Sequence, residues 1–188
     1  LKVRDKQTGL LWMNYTTITV RTEIARGFLL IGEDEKGFVN VDMIAMPNDT
    51  IVLKDLLSNN GLPQLREPKR IMYTSTGSSV TQPYVKLWVA TEERSYYVST
   101  TTFEGNLANT FERLVYSSFD MPAQLNPVHM IAKTRTGSAT TYRMVVCDNG
   151  YVFSVSLYDG EYYGNPVNRA SQSQDVLFKA YPYIFTTP

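Results

Sequence analysis

The hydrophobic pattern of this chain repeats one unit three times. An apolar run, a polar turn and an aromatic-led run follow each other in order. The first copy is Leu30-Ile31-Gly32, a turn over 33–37, then Phe38-Val39-Asn40-Val41. The second is Trp88-Val89-Ala90, a turn over 91–95, then Tyr96-Tyr97-Val98-Ser99. The third is Val145-Val146-Cys147, a turn over 148–150, then Tyr151-Val152-Phe153-Ser154. Gly32 and Ala90 are 58 positions apart, and Ala90 and Cys147 are 57 apart. A fixed period of this size predicts one supersecondary unit used repeatedly, so that the fold is an array of small antiparallel sheets. Leu30, Trp88 and Val146 are expected in equivalent strands.

More than the hairpin recurs. Pro68-Lys69-Arg70-Ile71-Met72 and Pro127-Val128-His129-Met130-Ile131 are proline-led strands 59 positions apart. Thr76-Gly77-Ser78 and Thr136-Gly137-Ser138 are matching turns. Gly27-Phe28-Leu29-Leu30-Ile31 is apolar throughout, which predicts a strand covered on both faces. Residues 51–57 and 106–118 have helix-like apolar spacing and are expected to be short helical inserts. Residues 176–181 read as a strand or a short helix. Ahead of the repeats, 1–4 and 15–20 alternate around a turn at 5–9 and predict a separate strand pair.

The fold expected is therefore all-β. Residues 24–188 form about three blade-like repeats of a partial β-propeller, and 1–23 belong to a preceding module. A propeller closes with about 4–8 blades, so the remaining blades are expected outside this chain, or the edges are covered by a partner. The chain opens at Leu1 in what reads as mid-strand, as a mature or partial segment does.

Composition narrows the function. Lys+Arg and Asp+Glu each number 18 among 188 residues, so no basic excess draws nucleic acid or anionic lipid. A neutral partner, a glycan or another protein, suits that balance. No stretch approaches the ~20 apolar residues of a membrane helix.

Catalytic groups are few. His129 and Cys147 are the only residues of their types. Cys147 reads as a small hydrophobe at a strand end, and His129 as a core-edge or solvent residue. Glu33, Asp34 and Glu35, like Glu92 and Glu93, fall in hairpin turns, where charge is the ordinary composition. Glycoside hydrolysis needs two carboxyl groups about 5–9.5 Å apart, closer than matching points of neighbouring blades. Asp148-Asn149 and Asp159 lack a calcium-loop pattern. No catalytic residue, metal site or cofactor is expected. The binding candidates are tyrosines: Tyr96 and Tyr97, Tyr158, and Tyr162 and Tyr163. In a strand one of each adjacent pair faces outward, where a flat ring suits a sugar or a protein surface.

The stretch Gly27-Phe28-Leu29-Leu30-Ile31-Gly32-Glu33-Asp34-Glu35-Lys36-Gly37-Phe38-Val39-Asn40-Val41-Asp42-Met43-Ile44 resembles the opening of the propeller-like region in the PKD-like family of Bacteroidetes lipoproteins. Val3-Arg4-Asp5-Lys6-Gln7-Thr8-Gly9 and Thr17-Ile18-Thr19-Val20 look like the last strands of the Ig-like PKD module before it. The resemblance implies a non-enzymatic, lipid-anchored protein of the outer-membrane cell surface. It also implies a place beside a SusC/SusD-type importer of glycan or peptide nutrients, where the protein binds ligand or docks. The chain departs from the family in lacking the anchoring cysteine, the earlier modules and the remaining blades. The competing readings are a carbohydrate-active propeller enzyme with its site largely outside this segment, and a purely structural or adhesive array.

Overall fold

Alternation along the strands sets the architecture, because side chains of a strand point to opposite faces in turn. A computed structural model describes residues 2–13, 27–46, 49–74, 86–131, 142–156, 160–169 and 176–184. Among these residues the chain is all-β, without an α-helix or a closed barrel. The strands are β1 (Lys2–Arg4), β2 (Leu11–Met13), β3 (Gly27–Glu33), β4 (Val39–Ala45), β5 (Ile51–Leu53) and β6 (Pro68–Thr74). They continue as β7 (Lys86–Thr91), β8 (Ser95–Val98), β9 (Pro127–Ile131), β10 (Tyr142–Cys147) and β11 (Val152–Ser156). They form three three-stranded antiparallel sheets, β3-β4-β5, β6-β7-β8 and β9-β10-β11, and a separate hairpin, β1-β2.

The sheets lie face against face. Val39, Val41, Met43 and Ala45 of β4 share one buried cluster with Leu87 and Val89 of β7 and Tyr96 and Val98 of β8. Trp88 and Ala90, on the opposite face of β7, share a second cluster with Val145 and Cys147 of β10 and Phe153 and Val155 of β11. The second sheet is thus covered on both sides, and all six residues of β7 are buried. Each large apolar side chain removed from water contributes about 1.5–3 kcal/mol. β3 neighbours β6, and β6 neighbours β9, so the first strands of successive sheets run side by side.

Several expectations are corrected. Residues 51–57 are not a helical insert: Ile51–Leu53 is β5, in register with β4 through Ile44↔Val52. The insert at 106–118 holds only a single 3-10 turn, Phe111–Leu114, whose Phe111 and Leu114 plug the core between the second and third sheets. Residues 176–181 form no strand or helix; Leu177 makes one bridge to Arg169. β3 is not covered on both faces, for Phe28 is 64% and Leu30 52% exposed. The first sheet ends the stack: among the described residues no further sheet packs on its outer side.

Hairpin spacing and sheet position also differ by one strand. Leu30 lies in the first strand of its sheet, whereas Trp88 and Val146 lie in middle strands. The hairpin near residues 33–37 joins strands one and two; those near 91–95 and 148–150 join strands two and three. Residues 15–20, expected as a strand from their alternation, lie outside the described residues. So do the turns at 76–78 and 136–138. β1 pairs instead with β2, through Lys2↔Met13 and Arg4↔Leu11, and this hairpin is largely exposed.

Candidate functional site

The tyrosines are sorted by the face on which each falls. Tyr96 is buried between the first and second sheets. Tyr163 is buried against Phe111, ring centres 5.0 Å apart, and burial pushes its phenol up to about 12. Neither offers a ring to a ligand. Tyr97 is half-buried, edge-on to Trp88 at 5.1 Å. It is held inward because the third sheet covers that side of β8. Tyr158 lies outside the described residues. Of the four that are described, Tyr162 is the openly exposed one, at 48%.

Tyr162 does not stand by itself. Its ring meets that of Tyr116 edge-to-face, centres 5.0 Å apart, and Tyr116 is 68% exposed. The backbone explains the pairing. Val115 and Tyr163 form a parallel bridge, with Tyr116 N–H donating to the Tyr163 carbonyl and Tyr163 N–H donating to the Leu114 carbonyl, both at 2.8 Å. Val115 and Tyr163, opposite each other in the bridge, face the core, so their neighbours Tyr116 and Tyr162 point out. Asn165 Oδ1 then accepts from Ser117 Oγ and the Ser118 backbone N–H, each at 2.9 Å, and closes the end of the seam.

Charge lies beside the rings. Lys86 pairs with Glu161, both largely buried, and the Lys86 ammonium sits 4.7 Å from the Tyr97 ring centre. Burial raises the Tyr97 phenol, and the nearby Glu161 and Tyr162 raise it further. The structure therefore brings Tyr97 and Tyr162 to one corner and separates both from Tyr96. Sequence reasoning missed Tyr116. Its only signal was an aromatic just past an apolar insert, 46 positions from its partner ring.

The groups that could carry catalysis are engaged elsewhere. His129 Nδ1 is 3.1 Å from Arg70 Nη1, which also donates to the Val128 carbonyl at 2.8 Å. Burial, then the Arg70 charge, lowers the imidazole. Cys147 is buried, and burial drives its thiol well up. Asp34 Oδ1 accepts from the backbone N–H of Lys36 and Phe38 at 2.8 Å, which organises the turn and lowers its pKa, the Phe38 bond contributing most. Glu92 pairs with Lys69 at 2.7 Å on the surface. Among the described residues no group of three or more His, Cys, Asp or Glu is placed to share a metal ion. No helix among them is long and apolar enough to cross a membrane.

Comparison with known proteins returns no matching family, no matching curated protein and no matching solved structure.

Proposed function

We propose that this protein is a non-enzymatic, lipid-anchored protein of the outer-membrane cell surface, of the PKD-like kind it resembles. In this reading it is accessory to a SusC/SusD-type importer of glycan or peptide nutrients, and it docks there through the Tyr116–Tyr162 seam. The exposed ring pair is the observation that carries the reading. Two tyrosines held by backbone bonds give large contact area at small cost in side-chain entropy, the property of a recognition anchor. The engagement of His129, Cys147, Asp34 and Glu92 in packing and turn contacts supports binding over turnover.

The reading extends to architecture. Residues 24–188 are part of a β-propeller-like array, and 1–23 close an Ig-like module. Face-to-face stacking of three sheets with their first strands side by side supports the array. The apolar row of exposed Phe28, half-buried Ile44 and exposed Val52, aligned across β3, β4 and β5, supports a further sheet against the first.

Affinity purification of the intact protein from native outer membrane in mild detergent tests this. Importer subunits are expected to co-purify, and Tyr116→Ala with Tyr162→Ala is expected to release them. Recovery of the protein alone at every salt concentration would sink the proposal.

A further inference from the structure

Away from the tyrosine seam, the β3–β4 turn and the loop over 54–67 enclose a cleft of about 420 Å³. That is within the range of small-molecule pockets, about 300–1,000 Å³. Its frame is tied down. Val39 N–H donates to the Leu65 carbonyl at 2.8 Å and Leu56 N–H to the Val41 carbonyl at 2.9 Å, so both ends of the loop hang on β4. In the middle, buried Asn60 donates from Nδ2 to the Phe103 carbonyl at 3.1 Å and accepts the Leu62 N–H at 3.1 Å. Asp55 and Asn59 adopt φ of 59° and 54°, the left-handed region that side chains of this type tolerate.

The cleft lining mixes apolar side chains, among them Leu57, Leu62 and Pro63, with polar ones that are largely unspent. Ser58, Asn59 and Gln64 are exposed and make no side-chain hydrogen bond among the described residues. Asp34 and Asp55 each use Oδ1, on the turn and on Asn40 Nδ2 respectively, and keep Oδ2 open. Phe38 also lines the cleft, and the Arg66 guanidinium lies over its ring, 4.5 Å from the ring centre.

We infer that this cleft is a binding site for a neutral saccharide of about two sugar rings. The amides bring donors and acceptors together, and the carboxylates add acceptors. A hydroxyl both donates and accepts, so a polyol satisfies all of them. The ionisable lining groups, Asp34 and Asp55, are both acidic and oppose a phosphate or carboxylate ligand, with the neighbouring cations Lys36 and Arg66 offsetting part of the charge at Asp34. An ammonium ligand would leave the amide donors unmatched. A peptide added as a strand needs open backbone groups, and several N–H groups of the cleft walls are already spent on β4 and on Asn60. Leu57, Leu62, Pro63 and Phe38 supply apolar surface for the carbon face of a sugar ring. The site is distinct from the tyrosine seam and stands without any importer.

Isothermal titration of the intact protein with cellobiose and with maltose tests the inference. At least one is expected to bind, and cellobionate, the anionic relative, is expected to bind more weakly than cellobiose. Asn59→Gly, which keeps the left-handed backbone, with Gln64→Ala should weaken the binding about tenfold or more, the scale of one to two lost hydrogen bonds. Both residues are exposed, so the thermal midpoint should not move. Failure of both disaccharides to bind overturns the site. So does binding that ignores the double variant, or binding of cellobionate as tight as that of cellobiose. Tyr116→Ala and Tyr162→Ala report on the docking reading alone, so the two proposals fail separately.

Discussion

At the scale of single residues, burial decides chemistry. Cys147 sits with Val145 and Phe153 in the core, and its thiol is raised well above the ordinary range. It should not react with a disulfide reagent until the protein unfolds; prompt labelling of the native state, followed by absorbance, would contradict the packing. Tyr163 gives a pH prediction with a definite sign. Its folded pKa is about 12, above the ~10 of an unfolded tyrosine. The folded state therefore holds the proton longer, and the associated stability is complete below about pH 10 and is lost as pH rises toward 12. Thermal midpoints should fall across that window, and Tyr163→Phe should lessen the fall. Cys147 contributes in the same direction and keeps part of it. Arg143 is buried at 2%, with its guanidinium donating to the Gly160 carbonyl and lying 5.6 Å from the Tyr163 ring centre. Its Nε has no hydrogen-bond partner among the described residues. Arg143→Met should leave stability unchanged or raise it, because burying a charge costs several kcal/mol. A clear drop in the urea midpoint would show that the Gly160 contact outweighs the desolvation.

At the scale of elements, the same hydrophobic signal has two outcomes. Leu30 and Trp88 hold the same place in the sequence repeat. Trp88 is 1% exposed, touches Tyr97 and Phe111 edge-on, and donates to Thr74 Oγ1 at 3.2 Å. Leu30 lies on an open face. Trp88→Ala should cost about 3–5 kcal/mol in urea unfolding, whereas Leu30→Ala should stay within about 0.5 kcal/mol. Equal costs would mean that the first sheet is covered after all. The loop over 54–67 has its own requirement. Gly61 has φ of 86°, and a Cβ there would stand 2.6 Å from the Gly105 carbonyl oxygen. Gly61→Ala should cost more than about 1 kcal/mol and loosen the cleft, read as faster amide exchange at Asn60 and Leu62.

At the scale of the whole molecule, the stack has two unlike ends. On the third sheet, the segment 176–184 runs alongside. Ala180 N–H donates to the Gly150 carbonyl at 3.1 Å, and the Tyr183 ring lies 6.1 Å from that of His129. On the first sheet, Phe28, Leu30 and Val52 remain exposed. A clustered apolar face of this kind marks a contact surface. Phe28→Glu with Leu30→Glu should lower the binding of a hydrophobic dye and leave the thermal midpoint in place. A fall in the midpoint would show that these side chains hold the fold itself.

The sequence by itself determined the strands that alternate or run apolar without a break. β4, β7 and β10 could be read because burial on one or both faces writes itself into residues two apart. Pro68 and Pro127 marked the starts of β6 and β9 for the same local reason: a missing N–H and a fixed φ. The sequence also determined that one of Tyr162 and Tyr163 faces out, though not which. The tertiary structure decided the rest. Residues 51–57 match a helix in spacing, yet Ile51–Leu53 pairs with β4, because a neighbouring strand outweighs a short local preference. Phe28 and Tyr97 look alike as aromatics in strands. One is exposed and the other covered only because of which sheet lies beside them. Tyr116 meets Tyr162, and Asn59 comes to share a cleft with Asp34, through contacts between segments far apart in the chain. No local pattern encodes such meetings, since each depends on how the sheets and loops pack.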